Sequence, residues 1–465
     1  MRDGLLQAYH RLPAPMRSAA ASLRGLRLRA LRYGPETERL VSEALARDYW
    51  TAEQWDSYKA NRLGYLLHRA ATRVPHYRES WARRRSNGDR ASWEYLENWP
   101  VLEKEAIRRN PRSFIADDCD GRRLFHVHTS GTSGKPLDLW HSKQTARSWY
   151  ALFEARCRRW YGLSRKDRWA ILGGQLITPV TSRKPPFWVW NAALNQLYMS
   201  SYHLSPDLIP FYADALKRHK IKYLYGYTSA LYELALHAPG AEIRALEMSV
   251  SFTNAEPVFD YQRRAIEEAF GCSVVETYGM AEMAAGASAC SNGAMHLWPE
   301  AAVLDTLQVD ENGPSTELIS TGLLNADMPL IRYRVGDRVT LGPAEHTCVC
   351  GTTLPILVSV EGRADDVLFT KDGRRVGRLD PIFKADLHVR ETQIVQEALD
   401  LIRIRYVPAP DFSPHNGQSI IGRLRARMGD VEVLLEEVQS LPRGANGKFR
   451  AVICNIPQDE RRSRD

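Results

Sequence analysis

Short apolar segments that alternate with helical segments constrain the fold of this chain more than any other feature. The helical segment ARSWYALFEARCRRWYGL (146–163) places apolar residues at helical spacing, and residues 40–110 also read as mostly helical. The segments suited to buried strands are WAILGG (169–174), KYLYGY (222–227), CSVVETYG (272–279) and STELIST (315–321). Strands that alternate with helices predict an α/β sandwich.

The character of the chain changes after Glu361-Gly362-Arg363, where a polar, turn-rich segment begins. Further along, strand-like and helix-like runs alternate again, which predicts a small α+β domain of about 100 residues. We therefore predict the fold class α/β, with a large N-terminal domain of mixed sheets and helices (1–362) and a small C-terminal domain (363–465). Residues 1–40 are predicted to be a basic helical extension.

The net charge of +8 and the pI of about 9.1 are a mild basic bias for 465 residues. This bias fits binding of anionic small molecules and does not indicate nucleic acid. It is strongest in Met1–Tyr33, which carries seven arginines and a single acid, Asp3. Two interpretations fit this segment: a solvated basic helix packed on the body, and a surface that contacts anionic lipid or polysaccharide-assembly machinery.

No apolar run approaches the roughly 20 residues that cross a bilayer, and the N-terminus lacks the apolar stretch of a signal peptide. The seven cysteines, an odd number, argue against a disulfide scaffold. We therefore expect a cytoplasmic protein, either a monomer or a homodimer.

A run of hydroxyls, glycines and one lysine, Thr129-Ser130-Gly131-Thr132-Ser133-Gly134-Lys135-Pro136, follows a strand-like segment. Glycines let backbone N–H groups turn inward around an anion, and the hydroxyl and ammonium groups add donors. The run is not a P-loop, because only two residues separate its glycines and proline follows the lysine. Alone, it fits either a phosphate-binding loop or a surface turn.

Four further motifs could each bind part of a nucleotide, and each could equally be a turn, an ion pair or a solvated loop. An acid after a strand can hold Mg²⁺, an aromatic ring can stack on a base, and an aspartate at a turn can accept hydrogen bonds from ribose hydroxyls. The motifs are Glu276–Glu282, Arg332–Asp337, Gly362–Asp366 and Pro442–Lys448.

Taken together and in this order, the motifs resemble those of the adenylate-forming superfamily, and most closely its phenylacetate–CoA ligase-like family. The markers are Asn254–Pro257, Tyr278–Glu282, Pro329–Arg334 and Cys348–Gly351. Met199–Ser205 and Tyr225–Leu231 resemble the branch found with capsule and exopolysaccharide genes. The resemblance covers residues 50–455 and implies an N-terminal domain followed by a mobile C-terminal lid.

The resemblance implies that a carboxylate attacks the α-phosphate of ATP, giving acyl-AMP and pyrophosphate, and that a nucleophile then takes the acyl group. It implies that Lys448 stabilises charge during adenylation, that Glu282 binds Mg²⁺, and that Asp365 is the hinge of the lid. Thr129, Ser130, Gly131, Thr132, Ser133, Gly134 and Lys135 would hold the β- and γ-phosphates. The remaining ATP-binding positions would be Asn254, Ala255, Glu256, Pro257, Thr277, Tyr278, Gly279, Asp337 and Arg363.

One position departs from the family pattern: Ala281 stands where a hydroxyl usually helps to hold the α-phosphate. The acceptor also stays open, because fold does not fix function. CoA is the first choice, and an amine, a sugar or a polysaccharide precursor is the alternative. A third hypothesis is a non-catalytic protein with this fold, against which Lys448, Glu282, Asp337 and Lys135 all argue.

The acid is predicted to bind between two turns and a run of small residues. Its candidate contacts are Gln175, His203, Tyr225, Tyr227 and Ala284. Aromatic residues at such spacing are also typical of a hydrophobic core, so the pocket identifies only a small carboxylic acid and not a particular one.

Three cysteines and a histidine, Cys290, His296, Cys348 and Cys350, are predicted to form a structural zinc site. The C-x-C spacing is tighter than the usual C-x₂-C, so buried cysteines that act as small hydrophobes are the alternative. Members of the resembled family carry Cys and His at these places.

Overall fold

The computed structural model describes residues 8–129, 137–175, 177–179, 182–238, 243–308, 316–343, 348–363, 368–371, 375–376, 388–442 and 449–457. Helices cover both faces of a large mixed sheet, so the predicted α/β class is confirmed. The helices are α1 (Ala14–Arg32), α2 (Thr37–Arg47), α3 (Ala52–Arg73), α4 (Pro75–Ser86), α5 (Lys104–Arg109), α6 (Lys143–Phe153), α7 (Ile209–Arg218), α8 (Thr228–His237), α9 (Asp260–Phe270) and α10 (Pro414–Met428).

The strands belong to one hairpin, one central sheet and three smaller sheets. They are β1 (Phe125–His128), β2 (Asp138–His141), β3 (Trp169–Gly173), β4 (Trp188–Asn191), β5 (Gln196–Ser200), β6 (Tyr223–Tyr227), β7 (Val250–Asn254), β8 (Ser273–Gly279), β9 (Gly286–Ala289), β10 (Met295–Leu297), β11 (Ala302–Gln308), β12 (Thr316–Gly322), β13 (Tyr333–Leu341), β14 (Leu357–Arg363), β15 (Leu368–Phe369), β16 (Arg375–Val376), β17 (Val389–Ala398), β18 (Leu401–Pro408), β19 (Glu432–Glu437) and β20 (Val452–Cys454).

The central sheet has the strand order β10-β9-β8-β7-β6-β3-β5-β4. Strands β3, β5, β6, β7 and β8 run parallel, while β4, β9 and β10 run antiparallel to their neighbours. Helices α7, α8 and α9 cover one face, and α2 and α6 cover the other. This double cover explains why the parallel strands read as nearly continuous apolar runs. It also brings the carboxyl ends of β6, β7 and β8 to one edge, where ligands of such sheets bind.

The regular helix within residues 146–163 is shorter than the sequence pattern suggests. Helix α6 ends at Phe153 and continues as a π-helical turn, Glu154–Arg158, and a 3₁₀ turn. The π turn carries the fully buried side chains of Arg156 and Glu154. The wider turn lets these charged groups point inward, where carboxylates and a guanidinium neutralise one another.

Strands β11–β14 form an antiparallel four-stranded sheet. Its register places Asp337 of β13 opposite Arg363 of β14. One hydrophobic cluster joins this sheet to α3, α4 and the β1–β2 hairpin, and it contains Leu67, Trp81, Leu139 and Tyr333. The hairpin and this second sheet, β11–β14, therefore pack against the same hydrophobic core.

The C-terminal sheet has the order β19-β18-β17-β20 and packs on α10. Its core includes Ile394, Ile404, Ile420 and Leu424. This is the small α+β arrangement that the sequence predicts. The division of the chain at residue 363 stays a prediction: Arg363 ends β14, and Asp365 of the predicted hinge lies outside the described residues.

Helix α1 packs along β4, the edge strand of the central sheet. Ser18 and Ser22 exchange hydrogen bonds with the backbone of Trp190, and Arg17 donates to the Ile177 carbonyl at 2.9 Å. The helix thus covers a strand edge that would otherwise present unpaired backbone groups. Met16, Leu23 and Leu26 stay exposed on it, and the predicted contact of residues 1–33 with lipid stays a prediction. In the described part of the chain, no helix combines the length and apolarity that crossing a membrane requires.

Candidate active site and metal centre

Two predicted nucleotide-binding residues, Tyr278 and Asp337, meet between the central and second sheets. The Tyr278 hydroxyl donates to Asp337 Oδ2 at 2.6 Å. Asp337 faces the backbone of Arg363 across the β13–β14 pair. Residues that are far apart in sequence, assigned to the base and the ribose, therefore lie side by side.

Asn254 ends β7 and offers an acceptor at the same edge. Its Oδ1 atom is buried and has no hydrogen-bond partner among the described residues, although its side chain and that of Thr277 lie within hydrogen-bonding reach of the Tyr225 hydroxyl. Burial raises the pKa of Tyr225, so this hydroxyl stays protonated. An unpaired buried acceptor is costly unless a ligand supplies the donor, as an adenine amino group can.

The loop after β7 holds Ala255 with a φ of 63°, in the left-handed region that non-glycine residues rarely adopt. Both carboxylate oxygens of Glu256 accept hydrogen bonds. Ser229 N, in the first turn of α8, donates to Oε2 at 2.8 Å. The backbone N–H of Phe449 donates to Oε1 at 2.7 Å. The Glu256 carboxylate thus connects the first turn of α8 to the C-terminal segment, and its predicted part in ATP binding stays a prediction.

Glu282 follows β8 and is half-buried. Its Oε1 atom accepts a hydrogen bond from the Tyr333 hydroxyl at 2.7 Å. The preceding Ala281 carbonyl accepts one from His141 Nε2 at 3.1 Å. Burial lowers the pKa of His141 to about 4, so the ring is neutral at pH 7. The β1–β2 hairpin is thereby attached directly to the segment that carries Glu282.

The base of the predicted phosphate loop is closed by Thr129 and Leu137. Thr129 N donates to Leu137 O at 3.1 Å, and Leu137 N donates to Thr129 Oγ1 at 2.8 Å. Ser130, Gly131, Thr132, Ser133, Gly134 and Lys135 lie outside the described residues, as does Lys448.

Of the predicted acyl pocket, Gln175 follows the end of β3, Tyr225 lies in the middle of β6 and Tyr227 ends β6. Gln175 N donates to the Tyr198 hydroxyl at 3.2 Å, and the Tyr202 hydroxyl donates to Gly174 O at 3.0 Å. The side chains of Tyr225 and Tyr227 are half-buried in β6. Tyr198, Tyr202 and Tyr227 contact the Gly173–Gln175 turn, and the acyl pocket itself stays a prediction.

Two residues of the predicted pocket, His203 and Ala284, make contacts within the protein, and their part in acid binding stays a prediction. His203 Nε2 donates to Pro179 O at 3.0 Å, while its Nδ1 shares a hydrogen bond of 2.8 Å with Ser200 Oγ, and the ring stacks on Phe187. Both ring nitrogens are therefore used within the protein. Ala284 is 1% exposed and packs in the core, where its carbonyl accepts from the Ser320 hydroxyl.

Cys290, His296, Cys348 and Cys350 come together as predicted, with their ligand atoms within 4.8 Å of one another. The Cys290 and Cys348 sulfurs are 3.9 Å apart, and Cys350 Sγ lies 3.3 Å from His296 Nε2. Zn–S bonds of about 2.3 Å in a tetrahedron imply sulfurs about 3.8 Å apart. His296 Nδ1 donates to Leu354 O at 3.2 Å, a bond that orients Nε2 toward the cysteine sulfurs.

Several residues with contacts at or near the candidate site were not predicted from the sequence. Tyr333 was part of a motif but not assigned as the partner of Glu282, and Phe449 had no recognisable pattern. His126, His128 and Asp138 also converge. The alternation H-x-H on a predicted strand was the available indication for the two histidines, since residues i and i+2 share a face.

Comparisons with known proteins relate both the C-terminal domain and the overall fold to adenylate-forming ligases. Residues 368–455 match the CapK C-terminal domain family. The chain is 26% identical to Protein CapK of Staphylococcus aureus over 394 residues, covering 82% of this chain and 85% of that one. It is 24% identical to phenylacetate-coenzyme A ligase of Pseudomonas putida over 337 residues, covering 68% and 72%.

Among solved structures, the chain resembles 2-hydroxyisobutyryl-CoA ligase in the postadenylation state with 2-HIB-AMP, with a TM-score of 0.67, 20% identity and coverage of 88% and 91%. Against the same ligase in the thioesterification state the TM-score is 0.52, at 21% identity and the same coverage. The chain is therefore homologous to Protein CapK and the phenylacetate–CoA ligases, and it has the adenylate-forming ligase fold, as the sequence motifs indicated.

Proposed function

We propose that this chain is an ATP-dependent, AMP-forming ligase that activates a carboxylic acid as an acyl-adenylate and passes the acyl group to CoA. The observation that carries the proposal is the Tyr278–Asp337 hydrogen bond beside the unpaired acceptor of Asn254. An aromatic ring, a carboxylate and a buried amide oxygen at one edge offer stacking, two ribose acceptors and an adenine-amino acceptor. This set matches the chemistry of AMP.

In the first step, a carboxylate oxygen of the acid bonds to the α-phosphorus of ATP, and the bond to the β-phosphate breaks. Both partners are anionic, so donors and cations must meet the charge that develops. We assign that role to Lys448 and to the loop Thr129–Lys135. We assign Mg²⁺ binding to Glu282; the ion, when bound, would neutralise phosphate charge. Tyr333 orients the Glu282 carboxylate through its hydroxyl.

Glu256 supports this first step by its bond to Phe449, because Phe449 N belongs to the peptide that joins it to Lys448. The C-terminal segment is thereby held against the loop of Asn254. Phe259, three residues after Glu256, also packs on the C-terminal core. The better match to a postadenylation structure than to a thioesterification structure supports the same assignment.

In the second step, the CoA thiol attacks the acyl carbon and AMP leaves, after rotation of the C-terminal domain about Asp365. The alternative acceptor is an amine, a sugar or a polysaccharide precursor. AMP release from enzyme-bound acyl-AMP distinguishes them: CoA alone suffices for a thioester-forming ligase, and an added amine or sugar is required for the alternative. A panel of aryl, hydroxy and sugar acids tests the first step. If no acid supports exchange of pyrophosphate into ATP, both the thioester-forming ligase and its alternative are refuted.

Lys448→Ala tests the assignment of the lysine. We expect acid-dependent exchange of pyrophosphate into ATP to fall by about 100- to 1000-fold, the usual cost of a lost transition-state donor, with a much smaller change in ATP affinity. Lys371→Ala is the matched control, because Lys371 lies in the same predicted C-terminal domain, is exposed and pairs with Asp400. An exchange rate near that of the wild type in Lys448→Ala would remove the lysine from the mechanism.

We also propose that the four-ligand cluster binds a structural zinc ion. Freshly purified, unchelated protein should contain about one zinc ion per chain, measured by metal analysis. Cys348→Ser should lose the ion and lower the unfolding temperature. Cys454→Ser is the control, because Cys454 lies outside the cluster. Zinc far below stoichiometry in the wild type would refute the site.

A further inference from the structure

The exposed face of the β1–β2 hairpin carries a second group of metal-binding side chains. His126 and His128 alternate along β1 and so share a face. The register pairs His128 with Asp138 and His126 with Trp140. The position directly beyond His128 and Asp138 is the Thr129–Leu137 pair that closes the base of the 130–136 loop.

Both imidazoles point at one carboxylate oxygen. His126 Nε2 lies 2.7 Å and His128 Nδ1 lies 2.8 Å from Asp138 Oδ1. All three ligand atoms fall within 4.8 Å of one another. His126 stacks on Trp140 with ring centroids 4.7 Å apart, so one ligand is already oriented.

These separations suit coordination by an ion. Metal–ligand bonds of about 2.05 Å at right angles put neighbouring donor atoms about 2.9 Å apart. The pairs at 2.7 and 2.8 Å are close to this spacing, so small side-chain rotations would admit an ion. Two imidazoles and one carboxylate favour zinc, nickel or cobalt over magnesium or calcium. They fill one face of an octahedron and leave the other positions to water or another oxygen ligand.

We propose that His126, His128 and Asp138 form a binding site for a divalent transition-metal ion, separate from the Cys290–Cys350 cluster. The ion ties β1 to β2 one residue pair from the base of the loop. Its open coordination positions suit a phosphate oxygen, and only this last statement rests on the proposed use of ATP. Metal binding itself needs no nucleotide, so its failure would leave the proposed ligase activity untouched.

The test is a calorimetric titration of untagged, zinc-loaded full-length protein with Ni²⁺, without nucleotide. Outer-shell partners of metal ligands change affinity by about 10- to 100-fold, so removing a ligand should cost at least as much. We expect saturable binding by the wild type, a loss of this size in His126→Ala and His128→Ala, and no change in His415→Ala, which removes another exposed histidine.

All three ligands are more than a third exposed, so the variants should fold normally. Added Co²⁺ should give the weak visible absorption of nitrogen and oxygen ligation. Absence of saturable Ni²⁺ binding, equal binding by the histidine variants, or strong thiolate-to-cobalt absorption would overturn the proposal.

Discussion

Glu256→Ala should lower acid-dependent pyrophosphate exchange by about 10- to 100-fold, the cost of losing a charged hydrogen bond that positions a reacting group. The same variant should form thioester from supplied acyl-AMP and CoA at close to the wild-type rate. The reason is geometric: the bond from Phe449 N to Glu256 Oε1 fixes the backbone next to Lys448. In the proposed mechanism Lys448 acts in adenylation, and the rotation before the second half-reaction would break this bond.

Two comparisons separate this positioning role from other roles of Glu256. Ser229→Ala removes the hydroxyl that donates to Oε1 at 3.1 Å but leaves the Phe449 bond, so exchange should change little. If Glu256 bound adenine instead, its replacement would weaken ATP binding. Hydrogen exchange at the Phe449 amide should quicken in Glu256→Ala whatever the activity. Equal loss in both half-reactions would contradict the positioning role and indicate general damage.

The strands of the central sheet could be predicted closely, because each is a short apolar run and the double cover of helices demands such runs. WAILGG, KYLYGY and CSVVETYG correspond to β3, β6 and β8 within one residue at each end. The members of the Cys/His cluster could also be predicted, since thiols and an imidazole at such spacing are typical of a metal site. Only the structure shows that the four side chains come together in space.

The partners of the site residues could not be predicted, because hydrogen bonds between distant segments leave no local pattern. Glu256 is separated from Phe449 by 193 residues, and Tyr278 from Asp337 by 59. His203 likewise has partners that the sequence does not indicate. Its position in a family-like run suggested a substrate contact, whereas Ser200 and Pro179 already satisfy both ring nitrogens.

Arg156→Met should destabilise the protein by about 3–5 kcal/mol, because removing one member of a buried ion cluster leaves the other charges uncompensated. Arg156 is fully buried and donates to Asp48 Oδ1 at 2.8 Å and to both Glu300 oxygens at 2.8 and 3.0 Å. The cluster joins the π turn after α6 to the end of α2 and to the segment before β11. Urea unfolding followed by tryptophan fluorescence measures the loss in the free energy of unfolding, taken from the first unfolding transition if there is more than one.

The cause of that loss is tested by charge and by pH. Adding Asp48→Asn and Glu300→Gln to Arg156→Met should recover part of the stability, since both substitutions remove the unpaired charge.

Burial already raises the pKa of Asp48, and without Arg156 this pKa should rise further. A carboxyl with a raised folded-state pKa binds more protons folded than unfolded, so stability increases as the pH falls toward that pKa. The deficit of Arg156→Met should therefore shrink at acidic pH, whereas Arg39→Ala, at an exposed pair with Glu43 on α2, should differ little from the wild type at either pH. A deficit that is independent of pH and of the two neutral substitutions would show that lost packing, and not uncompensated charge, is responsible.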